Sequence, residues 1–449
     1  MRTIRIHDTR SGRLVELAPR VPSEVGIYAC GPTVYNRIHV GNARPFVVFS
    51  LLKRFLEHEG YETTLVVNIT DINDKIYAAA RAAGVPSAPL AVEMSEAYIA
   101  DTDGLGRPDH EPLATETIDG IIDLIAALIA RDVAYVAEGD VYFRVRADER
   151  YGDLSHRPLD AMDQGEGDDP VGLRLKEDPL DFALWKAQKE DEDTAWDAPW
   201  GRGRPGWHIE CSAMAEALLG LDFEIHGGGN DLVFPHHENE AAQTRMGRGE
   251  ELARIWMHNG MIETAGDKMA KSIGNVAPLH QVLDEHGADV IVMLMVGGHY
   301  RQPLAFSDAT LADAAARVRR VREAARRLVD GPSPPELAVH KERFFDALAD
   351  DFNTPTAMAA AFEWIREANA RDEPIGRDDL AEMLGVLGLG ELVTSADDAA
   401  PDAVVALANA REEARAARDF AEADRLRDEI AAAGWTVRDG AGGFELVPR

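Results

Sequence analysis

The order of three segments near the N-terminus limits the fold more than any other feature of the chain. Residues 25–29 and the segment TLVVNIT (64–70) are short apolar runs of the kind that form buried strands. The segment RPFVVFSLLKRFLEHEG (44–60) between them has a helical pattern that ends at Gly60. Because two strands joined through a helix run parallel, this region is predicted to be a βαβ unit.

A second region of strands and helices is predicted from about residue 180 to residue 298. It contains the segments FEIHGGGND (223–231) and VIVMLMVGG (290–298), and we expect it to share one sheet with the first region. The residues between the two regions, at about 105–205, are predicted to form an insertion of mixed structure.

The C-terminal third has a different pattern. From residue 311 the chain is rich in alanine and arginine, which favours long helices, and the proline-rich segment GPSPPE (331–336) interrupts them. Residues 409–434 are predicted to form one helix that ends at Gly434, followed by a strand-like tail. These patterns predict three domains, at residues 1–300, 301–395 and 396–449.

The charge of the chain limits its partners. It has 449 residues, a net charge of −32, and 45% hydrophobic and 28% charged residues, which is typical of soluble globular domains. The acidic excess opposes nonspecific binding to nucleic acid or to an anionic membrane. A polyanionic partner would need a locally basic face, and the arginine-rich segment 317–327 is either that face or the solvated side of a helix.

Neither a membrane span nor a disulfide framework is expected. The longest apolar run, IIDLIAALIA (121–130), contains Asp123 and is too short to cross a bilayer, and the N-terminus lacks an apolar signal region. The two cysteines, Cys30 and Cys211, are far apart in sequence, so they are predicted to be free thiols or metal ligands in a reducing cytoplasm.

The segment FPHHENE (234–240) suggests a metal site. His236 and Glu240 are four residues apart at a predicted helix start, so they share a face and could reach one ion. Together with Cys30 and Cys211 they would form a set of two thiols, one imidazole and one carboxylate that suits zinc. The alternative is that the thiols pack in the core and HHENE is a solvated helix start.

Two further segments could bind the phosphates of a nucleotide. His39, Gly41 and Asn42 lie between a predicted strand and a predicted helix, where a phosphate can approach the backbone. Lys268 and Lys271 belong to the polar segment GDKMAKSIGN, in a chain with only eight lysines, and could neutralise phosphate charge. The alternatives are a turn histidine beside a helix cap and a solvated lysine pair.

The glycines of HGGGND and the tryptophan of WHIEC complete the set of candidates. The three glycines at 227–229 would allow a flat ligand close to the backbone, and Asp231 could accept hydrogen bonds from ribose hydroxyls. Trp207 lies one helical turn before Cys211 and could form an aromatic wall beside it. A tight turn and an ordinary core tryptophan are the alternative readings.

Taken in order along nearly the whole chain, these segments resemble the cysteinyl-tRNA synthetases, which are class I aminoacyl-tRNA synthetases with HIGH-type and KMSKS-type signatures. The resemblance rests on the segments YACGPTVYNRIHVGNARPF, NITDINDKI, DPLDFALWK, PWGRGRPGWHIECSAM, HGGGNDLVFPHHENEAAQ, MHNGMIETAGDKMAKSIGN, DDFNTPTA and REEARAARDFAEADRLRDEI. It implies an α/β fold with a Rossmann-like parallel-sheet catalytic domain and an insertion, then a helical region and a small C-terminal α/β tail that binds the anticodon.

The resemblance also implies roles for individual residues. One zinc ion per chain would be bound by four ligands: Cys30, Cys211, His236 and Glu240. Catalysis would depend on His39, Asn42, Lys268 and Lys271, and ATP would in addition contact Gly41, Gly228 and Asp231. Thr70 and Trp207 would line the amino-acid pocket. Tail residues that could contact tRNA are Trp435, Phe444, Arg411, Arg415 and Arg418.

The implied reaction joins L-cysteine to tRNA(Cys) with ATP and Mg²⁺, in a monomer of the cytoplasm with no membrane role. Two rival functions remain at this stage. One is a related cysteine-activating ligase that passes cysteine to an amino sugar, as mycothiol-pathway enzymes do. The other is a noncatalytic RNA-binding protein derived from a synthetase. The long C-terminal extension argues against the first, and the lysine pair with the four candidate zinc ligands argues against the second.

The chain departs from the family at Ala270, which replaces the central serine of KMSKS and removes a hydroxyl. We expect Ala270→Ser to change the adenylation rate and its dependence on ATP, because loop closure over the phosphates would regain a hydrogen bond. Amino-acid-dependent pyrophosphate exchange at varied ATP concentration would measure both. Identical kinetic parameters in the two proteins would contradict this expectation.

Overall fold

The computed structural model describes residues 2–162, 174–264, 267–268, 277–394, 402–440 and 443–448. The strands, in chain order, are β1 (Arg5–Asp8), β2 (Arg13–Glu16), β3 (Glu24–Ala29), β4 (Glu62–Val67), β5 (Ala134–Ala137), β6 (Asp140–Phe143), β7 (Phe182–Ala187), β8 (Gly203–Pro205), β9 (Phe223–Gly229), β10 (Ala253–Asn259), β11 (Ile262–Thr264), β12 (Asp267–Lys268), β13 (Leu304–Ala305), β14 (Leu328–Val329), β15 (Ile375–Gly376), β16 (Trp435–Gly440) and β17 (Gly443–Pro448).

The α-helices are α1 (Val40–His58), α2 (Asp74–Ala83), α3 (Ser87–Thr102), α4 (Ile118–Ala130), α5 (Trp207–Leu219), α6 (Glu238–Arg248), α7 (Leu279–His286), α8 (Ala288–Val296), α9 (Asp308–Ala325), α10 (Ala338–Ala349), α11 (Thr354–Asn369), α12 (Asp378–Val386), α13 (Glu391–Thr394), α14 (Asp402–Ala416) and α15 (Phe420–Ala432). None of these described helices combines the length and the apolar character needed to cross a bilayer.

A four-stranded sheet with the order β10-β9-β3-β4 forms the centre of the fold. All three neighbouring pairs are parallel: β3 with β4, β3 with β9 and β9 with β10. The predicted βαβ unit and the shared sheet are therefore confirmed. Because the strands are parallel, their carboxyl ends lie at one edge of the sheet, which is where ligands bind in folds of this class.

Both faces of this sheet are buried. Along β3, Ile27 and Ala29 pack in the same apolar cluster as Phe49 and Leu52 of α1. The alternate residues Tyr28 and Cys30 pack on the opposite face, in a cluster that contains Cys211 and Met214 of α5. Because side chains on both faces of the sheet are buried, its strands appear as continuous apolar runs in the sequence.

The chain between β4 and β9 contains a second sheet. Strands β5, β6, β7 and β8 form it in that order, with every pair antiparallel. Helix α4 packs on it through Ile121, Leu124 and Leu128, against Phe143 and Trp185. Mixed structure was predicted here, although the exact limits of the insertion and of the three domains remain predictions.

The helical region follows residue 307. Ser307 caps α9, because its hydroxyl accepts a hydrogen bond from the amide of Thr310. Most of the basic segment 317–327 lies in α9, which ends at Ala325. Its charge is partly neutralised, since Arg317 lies 2.8 Å from Asp313 and Arg322 lies 2.9 Å from Asp289. This arrangement favours a solvated helix face over a phosphate-binding face.

One helix prediction is wrong. Residues 409–434 do not form one helix, because Arg418 has a left-handed backbone (φ 63°) that separates α14 from α15. Asp419 then caps the second helix by accepting a hydrogen bond from the amide of Glu422 at 3.1 Å. The predicted end at Gly434 (φ 82°) is confirmed, and the tail is the antiparallel hairpin of β16 and β17.

Arg418 provides a test of this helix break. We expect Arg418→Gly to stabilise the α14–α15 segment by about 1 kcal/mol, because glycine adopts a left-handed backbone without the steric conflict that arginine has. Hydrogen exchange of the amides of α15 would then be slower. In the control Arg415→Gly, the change lies inside α14 and should destabilise the helix by a similar amount. Changes of the same sign in both variants would show that φ is not the cause.

Candidate active site and metal centre

A cavity of about 450 Å³ lies at the carboxyl ends of the central strands. Asn259, the last residue of β10, and Met261 and Ile262, which follow this strand, form part of its wall. Six of the residues singled out in the sequence line it, namely Cys30, His39, Gly41, Asn42, Trp207 and Asp231. The fold therefore brings together candidates that are up to about 200 residues apart in the chain.

The His39 turn is built by reciprocal capping of α1. The ring nitrogen Nδ1 of His39 accepts a hydrogen bond from the amide of Gly41 at 3.1 Å. The side-chain oxygen of Asn42 accepts one from the amide of His39 at 3.2 Å. A Cβ atom at position 41 would lie 2.8 Å from the ring of His39, so the ring can fold over the turn only beside glycine. Because Nδ1 is an acceptor, the neutral ring carries its proton on Nε2.

The four predicted metal ligands form one buried cluster. Cys30 follows β3, Cys211 belongs to α5, His236 lies in the turn Val233–His237, and Glu240 belongs to α6. Their donor atoms all lie within 4.8 Å of one another. His236 Nε2 is 3.1 Å and Cys30 Sγ is 3.5 Å from Glu240 Oε1.

A second donor set overlaps the first. It replaces Cys211 and His236 by His226 and His237, and its donor atoms also lie within 4.8 Å of one another. His237 Nε2 is 3.3 Å from Cys30 Sγ, and His226 Nε2 is 2.8 Å from Glu240 Oε2. Sequence reasoning missed both histidines as site residues, although each lies in a segment that was singled out for other residues.

Further histidines hold this cluster from outside. Nε2 of His258 lies 2.7 Å from Nδ1 of His237, and its Nδ1 lies 2.7 Å from the hydroxyl of Thr9. On the other side, Nδ1 of His208 lies 2.9 Å from Nδ1 of His236. These contacts fix the orientation of the rings whose other nitrogens face Cys30 and Glu240.

Burial determines the protonation of the cluster. It lowers the pKa of His236 and of His237 well below the usual range and the pKa of His226 to about 3, so the imidazoles are neutral and can donate a lone pair. Burial also raises the pKa of Glu240 and of Cys30. Among the residues that the structure describes, no lysine or arginine shifts the pKa of Glu240. A divalent cation fits this set, because it would supply the missing positive charge.

The two predicted amino-acid pocket residues differ in position. Trp207 lines the cavity and stacks on His236, with ring centroids 4.2 Å apart and an interplanar angle of 16°. Thr70 is buried and bridges to Thr33, which lines the cavity, whereas Thr70 is not among the lining residues. The side-chain amide of Asn68 donates to the hydroxyl of Thr70 at 3.3 Å. Thr70 is therefore placed behind the wall.

The nucleotide candidates are also only partly at the cavity. Asp231 and Gly229 line it, whereas Gly228 lies one residue earlier in β9. A Cβ atom at Gly228 would lie 2.9 Å from the Leu232 side chain and 3.2 Å from the His237 ring, so a larger residue there would have to displace these side chains. The structure therefore brings Gly229, rather than Gly228, to the cavity wall.

The two predicted loop lysines are described only in part. Lys268 lies in β12, and its backbone pairs with that of Glu263 in β11. Lys271 and Ala270 lie outside the described residues. A lysine that sequence reasoning missed, Lys75, lines the cavity with its ammonium nitrogen 5.8 Å from the centroid of the Tyr35 ring. Two signals in the sequence could have identified Lys75, namely the small number of lysines in the chain and its position in the segment NITDINDKI.

Three family models match the chain. The model of the class I (C) tRNA synthetase catalytic domain matches residues 16–316. The DALR domain model matches residues 343–389, and the model of the cysteinyl-tRNA ligase anticodon binding domain matches residues 397–445. Together they cover most of the chain.

Curated relatives are similar over nearly the full length. A cysteine–tRNA ligase of Symbiobacterium thermophilum is 44% identical, over 97% of this chain and 98% of its own. A cysteine–tRNA ligase of Caldicellulosiruptor saccharolyticus is 39% identical, over 97% of this chain and 98% of its own.

Solved structures share the fold. The methionyl-tRNA synthetase of Mycobacterium tuberculosis in complex with methionyl-adenylate has a TM-score of 0.60 at 16% identity, over 83% of this chain and 89% of its own. The LeuRS of Agrobacterium radiobacter K84, solved in a ternary complex with tRNA, has a TM-score of 0.61 at 11% identity, over 84% of this chain and 85% of its own. At this identity the likeness shows the fold alone, and it confirms the predicted fold class.

Proposed function

The chain belongs to the family of cysteine–tRNA ligases, and on that premise we propose that it activates L-cysteine with ATP and transfers it to the 3′ end of tRNA(Cys). The first step forms cysteinyl-adenylate and releases pyrophosphate. One observation carries the proposal: a buried cluster of two thiols, an imidazole and a carboxyl adjoins the cavity that the His39 turn lines. An amino-acid side chain and a nucleotide can therefore meet in one place.

We propose that Cys30, Cys211, His236 and Glu240 hold one zinc ion per chain. This set has both thiols of the chain, and zinc prefers sulfur ligands, so it is favoured over the set with His226 and His237. His226 and His237 would then act as hydrogen-bond partners of Glu240 and Cys30, as outer residues commonly do around metal ligands. Zinc bound here would select a thiolate over an alcohol and lower the pKa of the substrate thiol.

The protein's own residues orient the amino acid. Trp207 stacks on His236, so it keeps the imidazole in place and forms an aromatic wall of the cavity. A pocket that relied on apolar contacts alone would separate cysteine poorly from amino acids of similar size. Selection through sulfur would therefore remove the need for an editing site.

The His39 turn would bind the phosphates of ATP. Its Nδ1 is fixed by the amide of Gly41, so Nε2 carries the proton that can be donated to a phosphate oxygen. The cysteine carboxylate would attack the α-phosphate in line, while Lys268 and Lys271 would stabilise the charge on the leaving pyrophosphate, with Mg²⁺ bound to ATP. Asp231, which lines the cavity, would accept the ribose hydroxyls.

The C-terminal tail would bind the anticodon arm. Trp435 and Phe444 are half-buried and pack on the apolar cluster of α14 and α15, which leaves only part of each ring for a base. Arg415 and Arg418 are exposed and remain candidates for phosphate contacts, whereas Arg411 is buried and is a poor one. Phe420, which is 64% exposed, is a stacking candidate that sequence reasoning missed.

We further propose that the enzyme acts as a monomer in the cytoplasm.

Replacement of Cys211 tests the metal site. We expect Cys211→Ser to lose bound zinc, because a neutral alcohol replaces a thiolate ligand. Elemental analysis of the purified protein would measure the stoichiometry. The control is Ser212→Ala, which removes a neighbouring buried hydroxyl that hydrogen-bonds Gln243 at 2.6 Å and should leave the metal content unchanged. Full zinc retention in Cys211→Ser would contradict the ligand assignment.

The reaction itself is tested in two stages. Pyrophosphate exchange should depend on cysteine and discriminate against serine by a factor on the order of 10⁴, because a thiolate-binding site leaves serine without its main contact. Charging should then require tRNA, and an amino sugar should not accept cysteine. Equal exchange with serine would refute the selection mechanism. Transfer to an amino sugar would support the rival ligase, and the absence of any exchange would support a noncatalytic role.

A further inference from the structure

Arg44 is a buried cation held by backbone carbonyls. It lies near the start of α1, two residues after Asn42, and is 1% exposed. One terminal nitrogen donates to the carbonyls of Gly260 and Met261 at 2.7 and 3.0 Å, and the other donates to those of His299 and Gln302 at 3.2 and 2.7 Å. The guanidinium thus joins two separate backbone segments.

Burial of the Arg44 guanidinium lowers the stability of the folded protein. Burial lowers the pKa of Arg44 to about 10, which leaves the side chain charged at neutral pH, and no carboxylate of the described residues contributes to that pKa. A buried cation without an anionic partner loses hydration that carbonyl dipoles restore only in part. An apolar residue at this position would pack α1 without that cost, so the contacts of Arg44 point to a role beyond packing.

The two segments that Arg44 joins form one unit. The amide of Gly260 donates to the carbonyl of Tyr300 at 2.7 Å, and the amide of Leu304 donates to the carbonyl of Met261 at 2.9 Å. A Cβ atom at Gly260 would lie 2.3 Å from the carbonyl oxygen of Gln302, so the backbones touch here. Strands β11 and β13 then continue this contact in parallel.

The unit that these two backbone segments form is connected to β12 on one side and to the residues before α11 on the other. On one side, β11 pairs with β12, and the backbone of Glu263 faces that of Lys268. On the other side, Asp351, just before α11, accepts a hydrogen bond from the Tyr300 hydroxyl at 2.7 Å and one from Arg301 at 2.8 Å. Arg44 therefore lies between the His39 turn and the strands that lead to Lys268.

We propose that Arg44 is a positioning residue for adenylation, which sets the distance between the His39–Asn42 turn and the strand that carries Lys268. The inference rests on the proposed function, because both ends of this distance are expected to contact ATP. Arg44 is not among the residues that line the cavity, and its described hydrogen bonds go to backbone carbonyls rather than to the proposed metal ligands. It acts through the carbonyls of residues 260, 261, 299 and 302, of which Met261 itself lines the cavity.

The test compares Arg44→Met, Arg44→Lys and the wild-type chain. We expect Arg44→Met to lower the kcat of cysteine-dependent pyrophosphate exchange by about 100-fold, the usual effect of displacing catalytic groups by about 1 Å. Arg44→Lys keeps the charge but cannot span four carbonyls, so it should recover part of the rate. Zinc content and the KM for cysteine should stay within about twofold of wild type, whereas the KM for ATP should rise.

Two further variants keep the test decisive. Gly260→Ala retains Arg44 but pushes residues 260 and 302 apart, and it should reproduce the loss of kcat even if Arg44→Met fails to fold. Arg322→Met removes an arginine that pairs with Asp289 between α8 and α9, and should leave exchange unchanged. Normal kcat in Arg44→Met or in Gly260→Ala would overturn the proposal, as would a parallel loss of zinc and of cysteine binding. Absence of exchange in the wild-type chain would instead refute the proposed function.

Discussion

The parallel pairing of β3 with β4 and β9 is the constraint on which the rest of the structure depends. It brings the carboxyl ends of these strands to one edge, so that residues near positions 30, 70 and 230 become neighbours. A parallel sheet requires helical crossovers, and α1 is the crossover whose first turn returns to the same edge. The cavity is a direct consequence, because loops at this edge are free to surround a ligand while helices cover both faces.

The position of the candidate metal cluster also depends on this pairing. Cys30 and Cys211 lie on the face of the sheet opposite α1, where they pack with apolar side chains, while further buried histidines surround the cluster. No lysine or arginine in the described part of the chain shifts the pKa of Glu240, and buried polar groups of this kind destabilise a core unless a cation joins them. The overlap of two donor sets around Cys30 and Glu240 means that softness of the ligands, rather than proximity alone, distinguishes them. Two thiolates favour the set with Cys211.

The sequence predicts those parts of the structure that depend on local periodicity. The βαβ unit follows from two continuous apolar runs of strand length with a helical pattern between them, and the proximity of His236 and Glu240 follows from their spacing of four residues. The contacts of His226, His237 and Arg44 do not follow from such patterns, because each depends on a partner more than ten residues away. The break at Arg418 was missed because its left-handed backbone is rare for arginine, and no glycine marked the turn.

In the His39 turn, a capping role and the nucleotide-binding role that we propose belong to the same residues. The hydrogen bonds of His39 with Gly41 and Asn42 fully account for the start of α1, so capping alone would explain this part of the sequence. The same bonds, however, fix the ring at the cavity wall and determine which nitrogen carries the proton. A histidine that was free to rotate would lose entropy on binding a phosphate, whereas a capped histidine has already lost it. If the turn binds a nucleotide as we propose, the cap prepares the ring for that contact, so the two interpretations of the motif are compatible.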